Sequence, residues 1–575
     1  MTSMPFDWLK SSVDGASTER RQALDFTDYI DTVRGVWVGK FIGGTLGAPI
    51  EGVKERHQFD VGIAPAGIAE NDDTDLQLLW LHAIEEHGVK LSAENLMQEW
   101  REHVRAPWNE YGVAAANWEC GIRPPESGRL NNWFWGECMG GPIRSEIWGL
   151  ICPGAPRLAA RYAAMDGSLD HAGEAIEAEK FLAGLEAALF FEKDLAALIE
   201  IGLQQVDPAS RIASLVRDVQ VWTRTLDWSG ARERVRAVYG HPDMTHSLQN
   251  VGFTLIGLLC GGGDFGRTLA LTLNCGYDAD CTAGTAAAIL GGILGYEGIP
   301  ARFRDAVPGE YRVSDWMLGF PRTGRLTDLS LACCHLGRDV AEAWQTGVEI
   351  SAPTAPRPGA LPVSRFGVPA VRVPGQRFPS WRIVGPCWRA WDERRSADLA
   401  AGEHGISGLP SVQYFTHDQS GFDREFLSPR QLAFDQMLAL REQEQVVRHA
   451  TSDLVPLDGL VVRGRPGCHY AAAEFDAPAE GRAWLMIGAT GPVEAWLNEQ
   501  SVLHSETYQP LTPTTFPILV SVQPGRNQLV LKLACTSQPL GAYVAFKRYD
   551  GAHWHQSFYE TRFDWRRPLS DIAHS

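Results

Sequence analysis

The sequence predicts two architectures in one chain: an all-α helical bundle over residues 1–350 and an all-β sandwich over residues 376–575, joined by a Pro-rich linker at 351–375. Three observations carry this expectation. Before residue 350, apolar residues recur with a period near 3.6 and almost never alternate with period 2. Composition then changes at Ser-Ala-Pro-Thr-Ala-Pro-Arg-Pro-Gly-Ala-Leu-Pro, residues 351–362, which reads as a linker. Beyond it, short β-branched and aromatic runs are separated by turn residues at the spacing of a sandwich.

The bulk properties exclude several classes of function. At 575 residues the chain has room for more than one domain, and with 45% hydrophobic and 21% charged residues it can bury a sizeable core. A net charge of −18 argues against a nucleic-acid backbone or an anionic membrane as partner. The 11 cysteines are scattered and show no zinc-ligand spacing, which fits free thiols in a reducing compartment. The first ten residues lack a basic segment followed by an apolar one, and no apolar run would span a bilayer, so the expected location is cytoplasmic.

The first helix is expected from Tyr29 to Gly47. Gly35, Gly39 and Gly43 recur at every fourth residue, which bares one helix face for the close approach of another helix. Gly47-Ala-Pro49 ends it, and Glu51 follows the break, where a carboxylate can point into a cleft. Asp72, Asp73, Thr74 and Asp75 open a second apolar helix; a single cap does not need three aspartates. Residues 105–150 are rich in Trp, Asn, Gly and Pro and read as poor helix. Either they form a loop over the core, or they stack on and hydrogen-bond a sugar or base, which makes Asn117, Glu126 and Asn132 candidates for binding substrate. Two helices follow around Asp170-His171, with His171 and Glu174 at the start of the second. Further amphipathic and apolar helices lead to residue 274.

Asn274-Cys-Gly-Tyr-Asp-Ala-Asp-Cys-Thr places Asp278 and Asp280 one residue apart at the start of a small-residue helix. On a regular helix the two side chains would diverge by about 200°, but in the turn at a helix start they can converge. A cap plus a solvated aspartate would explain the pair as well, unless a second acidic cluster joins it.

In the second half, strands are expected at 483–487, 493–497, 516–522, 528–533 and 542–547, with one helical interruption at 428–448.

The helical part, about residues 30–350, resembles the ADP-ribosylglycohydrolase family. Four stretches carry the likeness: Gly39-Lys-Phe-Ile-Gly-Gly-Thr-Leu-Gly-Ala-Pro-Ile-Glu51, Asn71-Asp-Asp-Thr74, the segment from Asp170-His171 to Glu174, and Gly276-Tyr-Asp-Ala-Asp-Cys281. The resemblance implies an all-α fold and one or two Mg2+ ions held between the two acidic helix starts. Asp72, Asp73, Thr74, Asp278, Asp280 and Thr282 then take metal-ligand positions, and His171, Glu174 and Tyr277 join the substrate-binding candidates. Two positions depart from the family pattern. Gly44 stands where the family commonly has aspartate, and Cys281 stands where a hydroxyl ligand is wanted. A thiol is a poor magnesium ligand, so water or Thr282 fills the place or the second site is weakened. The β part looks like a galactose-binding-like jelly-roll module, on Trp496-Leu-Asn498 and the Gly-Arg-Asn start of the 525–533 strand; such modules bind a glycan or only pack against a catalytic domain.

The implied reaction is metal-dependent hydrolysis of an ADP-ribosyl or related ribosyl bond in a small-molecule or conjugated substrate. Glu51 is the candidate acid, and Asp73 or Asp280 the base. Hydrolysis of another carbohydrate, with the sandwich as accessory, and non-catalytic sugar binding are the alternatives.

Overall fold

The computed structural model describes residues 22–367 apart from 106, 107, 120, 131 and 308. Beyond them it describes 380–387, 445–449, 454–457, 467–477, 479–535 without 508, 510, 513 and 514, and 541–549. These fall into two compact units: residues up to 105 together with 137–368, and residues 106–136 together with the chain from 369 onward.

The first unit is helical. Its helices are α1 Phe26–Gly47, α2 Asp72–His87 and α3 Ala93–His103, while α4 Asn109–Glu119 and α5 Glu126–Arg129 lie in the segment that groups with the second unit. The series continues in the first unit with α6 Ser145–Leu150, α7 Pro156–Gly167, α8 Glu174–Ala188, α9 Leu195–Leu203, α10 Arg211–Thr225 and α11 Trp228–Tyr239. It closes with α12 Ser247–Gly261, α13 Phe265–Asn274, α14 Ala279–Leu294, α15 Ala301–Arg304 and α16 Leu326–Trp344. Two three-residue ribbons accompany them: β1 Gln22–Leu24 pairs in parallel with β4 Val348–Ile350, and β2 Glu310–Arg312 pairs antiparallel with β3 Thr323–Arg325. Strands this short cannot display a period-2 pattern, so the sequence does not announce them. No helix is long and apolar enough to cross a membrane, among the described residues.

The contact between α1 and α14 sets the frame. A Cβ built on Gly35, Gly39 or Gly43 would lie 2.2, 2.0 and 2.1 Å from the carbonyl oxygens of Gly291, Ala287 and Ala283. One built on Gly47 would lie 2.3 Å from the Asp280 Cα. The two helices run antiparallel with backbone against backbone, as the fourfold glycine spacing anticipates. This brings the end of α1, and with it Glu51, beside the start of α14.

The segment read as a linker begins as an extended strap on the helical unit. The Ser351 amide donates to the Leu24 carbonyl, that of Leu361 to a Glu85 carboxylate oxygen, and that of Ser364 to the Gly319 carbonyl. Arg365 reaches Glu86, Glu99 and Glu102. Residues 368–375 lie outside the described residues.

Residues 105–150 hold more helix than their composition promises. In α4, Tyr111, Ala114 and Trp118 are buried at helical spacing, so an apolar stripe and consecutive alanines override the Trp, Asn and Gly content.

The second unit is built of antiparallel strands in two sheets. One has the order β10–β9–β12–β7–β5–β6 and the other β11–β8–β13. The strands are β5 Ser380–Cys387, β6 Gln445–His449, β7 Gly467–Ala477, β8 Gly481–Ala489, β9 Val493–Leu497, β10 Gln500–Ser505, β11 Phe516–Val522, β12 Gly525–Cys535 and β13 Ala542–Arg548. Alternate residues such as Leu485 and Ile487 of one sheet and Leu529, Leu531 and Leu533 of the other share a single core. Of the expected helix at 428–448, residues 428–444 lie outside the described residues, and its last residues belong to β6. Asn498, at φ 49°, turns β9 into β10; its amide donates to Asn527 Oδ1 at 2.8 Å and its Oδ1 accepts from Gln528 N at 2.9 Å. The Trp-Leu-Asn and Gly-Arg-Asn patterns are therefore the two halves of one clasp between neighbouring strands.

Substituting Gly39→Ala drives a methyl group into the Ala287 carbonyl and should cost about 1–3 kcal/mol in urea-unfolding stability. Gly359→Ala, where nothing lies within 4 Å of the added carbon, should leave it unchanged.

Candidate active site

Four chain segments converge at the α1–α14 junction. Asn71 caps α2: its Oδ1 accepts from the Asp73 amide at 2.7 Å. Asp278 occupies the cap position of α14, but its side chain makes no cap bond. Neither aspartate cluster is spent on capping, which removes the structural explanation for both. Asp73, Asp278 and Asp280 are all at most 3% exposed. Asp72 is half-buried and Glu51 is open to solvent at the end of the group.

Single carboxylate oxygens of Glu51, Asp278 and Asp280 lie within 4.8 Å of one another, as do ligand atoms of Asp73, Asp280 and Cys281. Asp278 Oδ1 and Asp280 Oδ1 are buried without a hydrogen-bond donor. Orphaned, clustered carboxylate oxygens are costly unless they are protonated or a cation joins them, and an all-oxygen set suits a hard divalent ion. Asp278 and Asp280 meet that description, with Glu51 at the open end of the group. The second group contains the Cys281 thiol, which donates to Asp73 Oδ1 at 3.3 Å and so acts as a hydrogen-bond partner in place of a hydroxyl.

Electrostatic strain follows from this crowding. Burial, then Asp280 and Glu51, pushes the Asp278 carboxyl well above the carboxylate range. Burial and Asp73 raise Asp280 to about 6. Surrounding protein atoms, then Asp280 and Asp73, raise Glu51 to about 8, although water reaches it. Asp72 is raised by burial, then by Asp73 and Asp280.

Among the described residues, one cation answers this charge. Lys40 of α1 is fully buried, with Nζ 3.2 Å from Asp73 Oδ2 and 2.9 Å from Glu146 Oε1, and it donates to Thr285 Oγ1 and the Ile143 carbonyl at 3.2 Å. Burial alone would favour its neutral form, but Asp73 and Glu146 hold it charged. Gln77 donates to Glu146 Oε2 at 2.9 Å. Asn71 Nδ2 donates to Asp280 Oδ2 at 3.0 Å. A Cβ on Gly44 would have Asn71 Nδ2 at 3.3 Å, so Asn71 stands against the position where the family has aspartate. Sequence reasoning passed over Lys40, Asn71 and Glu146; the signal for the first was a lysine inside an otherwise apolar, glycine-striped helix, which demands a buried counter-charge.

The remaining candidates are placed as follows. The Thr74 hydroxyl donates to the Asn71 carbonyl at 2.9 Å and the Thr282 hydroxyl to the Ala279 carbonyl at 3.2 Å, so both are engaged with their own helix starts. Tyr277, at φ 66°, is a clamp: its amide donates to the Val53 carbonyl, its carbonyl accepts from Gly52, and its hydroxyl accepts from Arg236 Nε at 3.0 Å. It fixes the chain on both sides of Glu51 and Asp278. His171 Nδ1 lies 2.6 Å from Asp170, which is also gripped by Arg144, in a separate buried network. Both oxygens of Glu174 accept main-chain amides of Arg211 and Ile212 at the start of α10. In the other unit, Asn117 donates to the Ser127 and Leu130 carbonyls, Asn132 to the Gly128 carbonyl, and exposed Glu126 pairs with Arg129.

Beyond Glu51 the chain borders a cleft of about 690 Å³ lined by Lys54, Glu55, Arg56, Trp228, Arg232 and Arg236 among others. Glu233 also lines it and pairs with both Arg232 and Arg236 at 2.7 Å.

Two measurements test this electrostatic account. Lys40→Met leaves Asp73 and Glu146 buried without a cation and should cost about 3–5 kcal/mol of stability. The raised carboxyls also set a pH dependence. Because the folded protein binds protons that the unfolded chain has released, stability in a chelator should fall as pH rises from about 4 to about 8. In Glu51→Gln, thermal unfolding should lose the part of this decline that extends to about pH 8, and in the parent chain an added divalent cation should reverse it.

A family model described as ADP-ribosylglycohydrolase matches residues 25–335. Among solved structures, an "ADP-ribosylglycohydrolase-related protein complex" is 17% identical with a TM-score of 0.40, covering 55% of this chain and 99% of that one. Two crystal structures of a β-glucosidase from Kluyveromyces marxianus, one of them in complex with glucose, are 11% and 7% identical at TM-score 0.16 and cover 20% of this chain and 15% of theirs. No curated protein matches the chain. The family match spans more than half of the sequence and includes every carboxylate of the converged site. The chain belongs to the ADP-ribosylglycohydrolase family, typically metal-dependent hydrolases of glycosidic bonds in small-molecule or conjugated substrates.

Proposed function

We propose that the helical unit hydrolyses the glycosidic bond of an ADP-ribosyl or related ribosyl conjugate with Mg2+ as its resident ion. The observation that carries this reading is the convergence of Glu51, Asp278 and Asp280, with two buried carboxylate oxygens lacking any donor. Asp278 and Asp280 with Asp72 and Asp73 are the residues assigned to hold the ion, and Thr74 and Thr282 are the hydroxyls nearest them in sequence. When bound, Mg2+ polarises a water and orients ribose hydroxyls.

The side chains divide the remaining work. Glu51, at the solvent end of the group, is the acid that passes a proton to the leaving atom as the anomeric bond breaks. This role requires the carboxyl to stay outside the ion's inner sphere, which its place at the solvent end of the group allows. The attacking water loses its proton to Asp280, whose carboxylate is oriented by the Asn71 amide. Asp73, fixed by Lys40 and by Cys281, sets negative charge beside the oxocarbenium-like transition state. Cys281 and Gly44 are what favours the second reading, hydrolysis of another carbohydrate. The second unit is read as a galactose-binding-like accessory module, supported by its two-sheet core and the Asn498–Asn527 clasp.

Release of ADP-ribose from ADP-ribosylated substrates, and of the chromophore from simple glycosides, should be followed with Mg2+ and with chelator. Asp278→Ala and Asp280→Ala should each abolish Mg2+-dependent turnover, and Glu51→Gln should lower kcat by about 10²–10⁴-fold. Turnover of a glycoside alone would transfer the assignment to the second reading. Unchanged rates in both aspartate variants would sink the metal assignment.

A further inference from the structure

A second cluster of ligating side chains lies between α2, α3 and the strap, and the proposed reaction makes no use of it. His82 of α2 and Glu99 and His103 of α3 are all buried, and one ligand atom from each falls within 4.8 Å of the others. Contacts of His87 and His103 decide the tautomers of those two rings. Asn95 Oδ1 accepts from Ser92 N and Ser92 Oγ, which fixes its amide, so Asn95 Nδ2 donates to His87 Nδ1 at 3.2 Å. The His87 Nε2 proton then goes to Glu99 Oε1 at 2.7 Å. His87 orients the carboxylate. His103 is the reverse case. Its Nδ1 donates to the Leu318 carbonyl at 2.9 Å, which in the neutral ring leaves Nε2 a bare lone pair.

That lone pair faces Glu99 Oε2 at 3.4 Å, and His82 Nε2 faces the same oxygen at 3.3 Å. Neither nitrogen has hydrogen-bond geometry to any partner. Arg365 Nη1 donates to the same oxygen at 3.1 Å from the strap side, and the two buried imidazole nitrogens face it without a hydrogen bond. The separations carry their own hint: ligand atoms about 2.0–2.1 Å from a tetrahedral zinc lie about 3.3–3.4 Å apart. Glu86, Glu99 and Glu102 share the guanidinium of Arg365, at 2.9–3.0 Å.

We infer that His82 Nε2, His103 Nε2 and Glu99 Oε2 form a structural site for a borderline divalent cation of the Zn2+ class, with water as the fourth ligand. The donor set, two imidazoles and one carboxylate, differs in kind from the all-oxygen group at Asp278 and selects a softer ion. A bound ion would pin the two helices to each other and hold Glu99 in place to receive Arg365 from the strap.

The test loads the full chain, freed of metal by chelation, with one equivalent of Co2+ and separately with Zn2+. The expected results are the intense visible bands of tetrahedral Co2+ and, at the Zn2+ edge, X-ray scattering from two imidazoles. The same signals should persist in Asp278→Ala and vanish in His103→Gln. A weak octahedral Co2+ spectrum, or Zn2+ scattering without imidazole, in the unaltered chain overturns the proposal without relying on any variant's folding. Signals that survive in folded His103→Gln overturn it as well.

Discussion

Everything at the site depends on how closely α1 and α14 approach. Glycine at positions 35, 39, 43 and 47 removes the side chains that would hold two helices at an ordinary separation, and the backbone of α14 fills the gap. Because the helices are antiparallel, the exit of one lies beside the entrance of the other. Glu51, Asp278 and Asp280 meet there although more than two hundred residues separate them. The Tyr277 clamp then fixes both turns against each other, so the carboxylates are held by main chain rather than by their own flexible stems.

The cost of this convergence is electrostatic. Burying several like charges together is unfavourable, and Lys40 offsets only part of it because it is shared with Glu146. The remaining imbalance is what makes the group receptive to a cation or a proton. At Glu99 three carboxylates share one guanidinium beside two imidazole nitrogens that have no hydrogen bond. Capping explains neither cluster.

Much of this was legible in the sequence. The fourfold glycine spacing told of a close helix pair, and strands β9 and β11 run over the residues their alternation and turns predicted. The two acidic helix starts were visible because three aspartates exceed what a cap can use. Other features were hidden for definite reasons. Lys40 is one letter in an apolar run, and its partner Glu146 lies far away in sequence. Asn71 caps α2, and its amide also reaches Asp280, a contact across more than two hundred residues. His171 and Glu174 entered through the family resemblance; in the structure His171 lies against Asp170 and Glu174 accepts amides at the start of α10. The helix α4 was masked by Trp and Asn, which composition counts against helix while burial rewards it.

The strap changes where one half of the chain ends. By composition the helical part stops near residue 350, but Ser351, Leu361, Ser364 and Arg365 all bond to it. Proline-rich sequence here encodes an extended peptide laid along a surface, tied to it at Ser351, Leu361, Ser364 and Phe366. For recombination between genes, the harmless crossover therefore lies after residue 367. A shuffled descendant that kept the helices but joined a new partner at 350 would inherit an intact set of site carboxylates over a broken flank, with Glu99 and Glu102 left without their guanidinium.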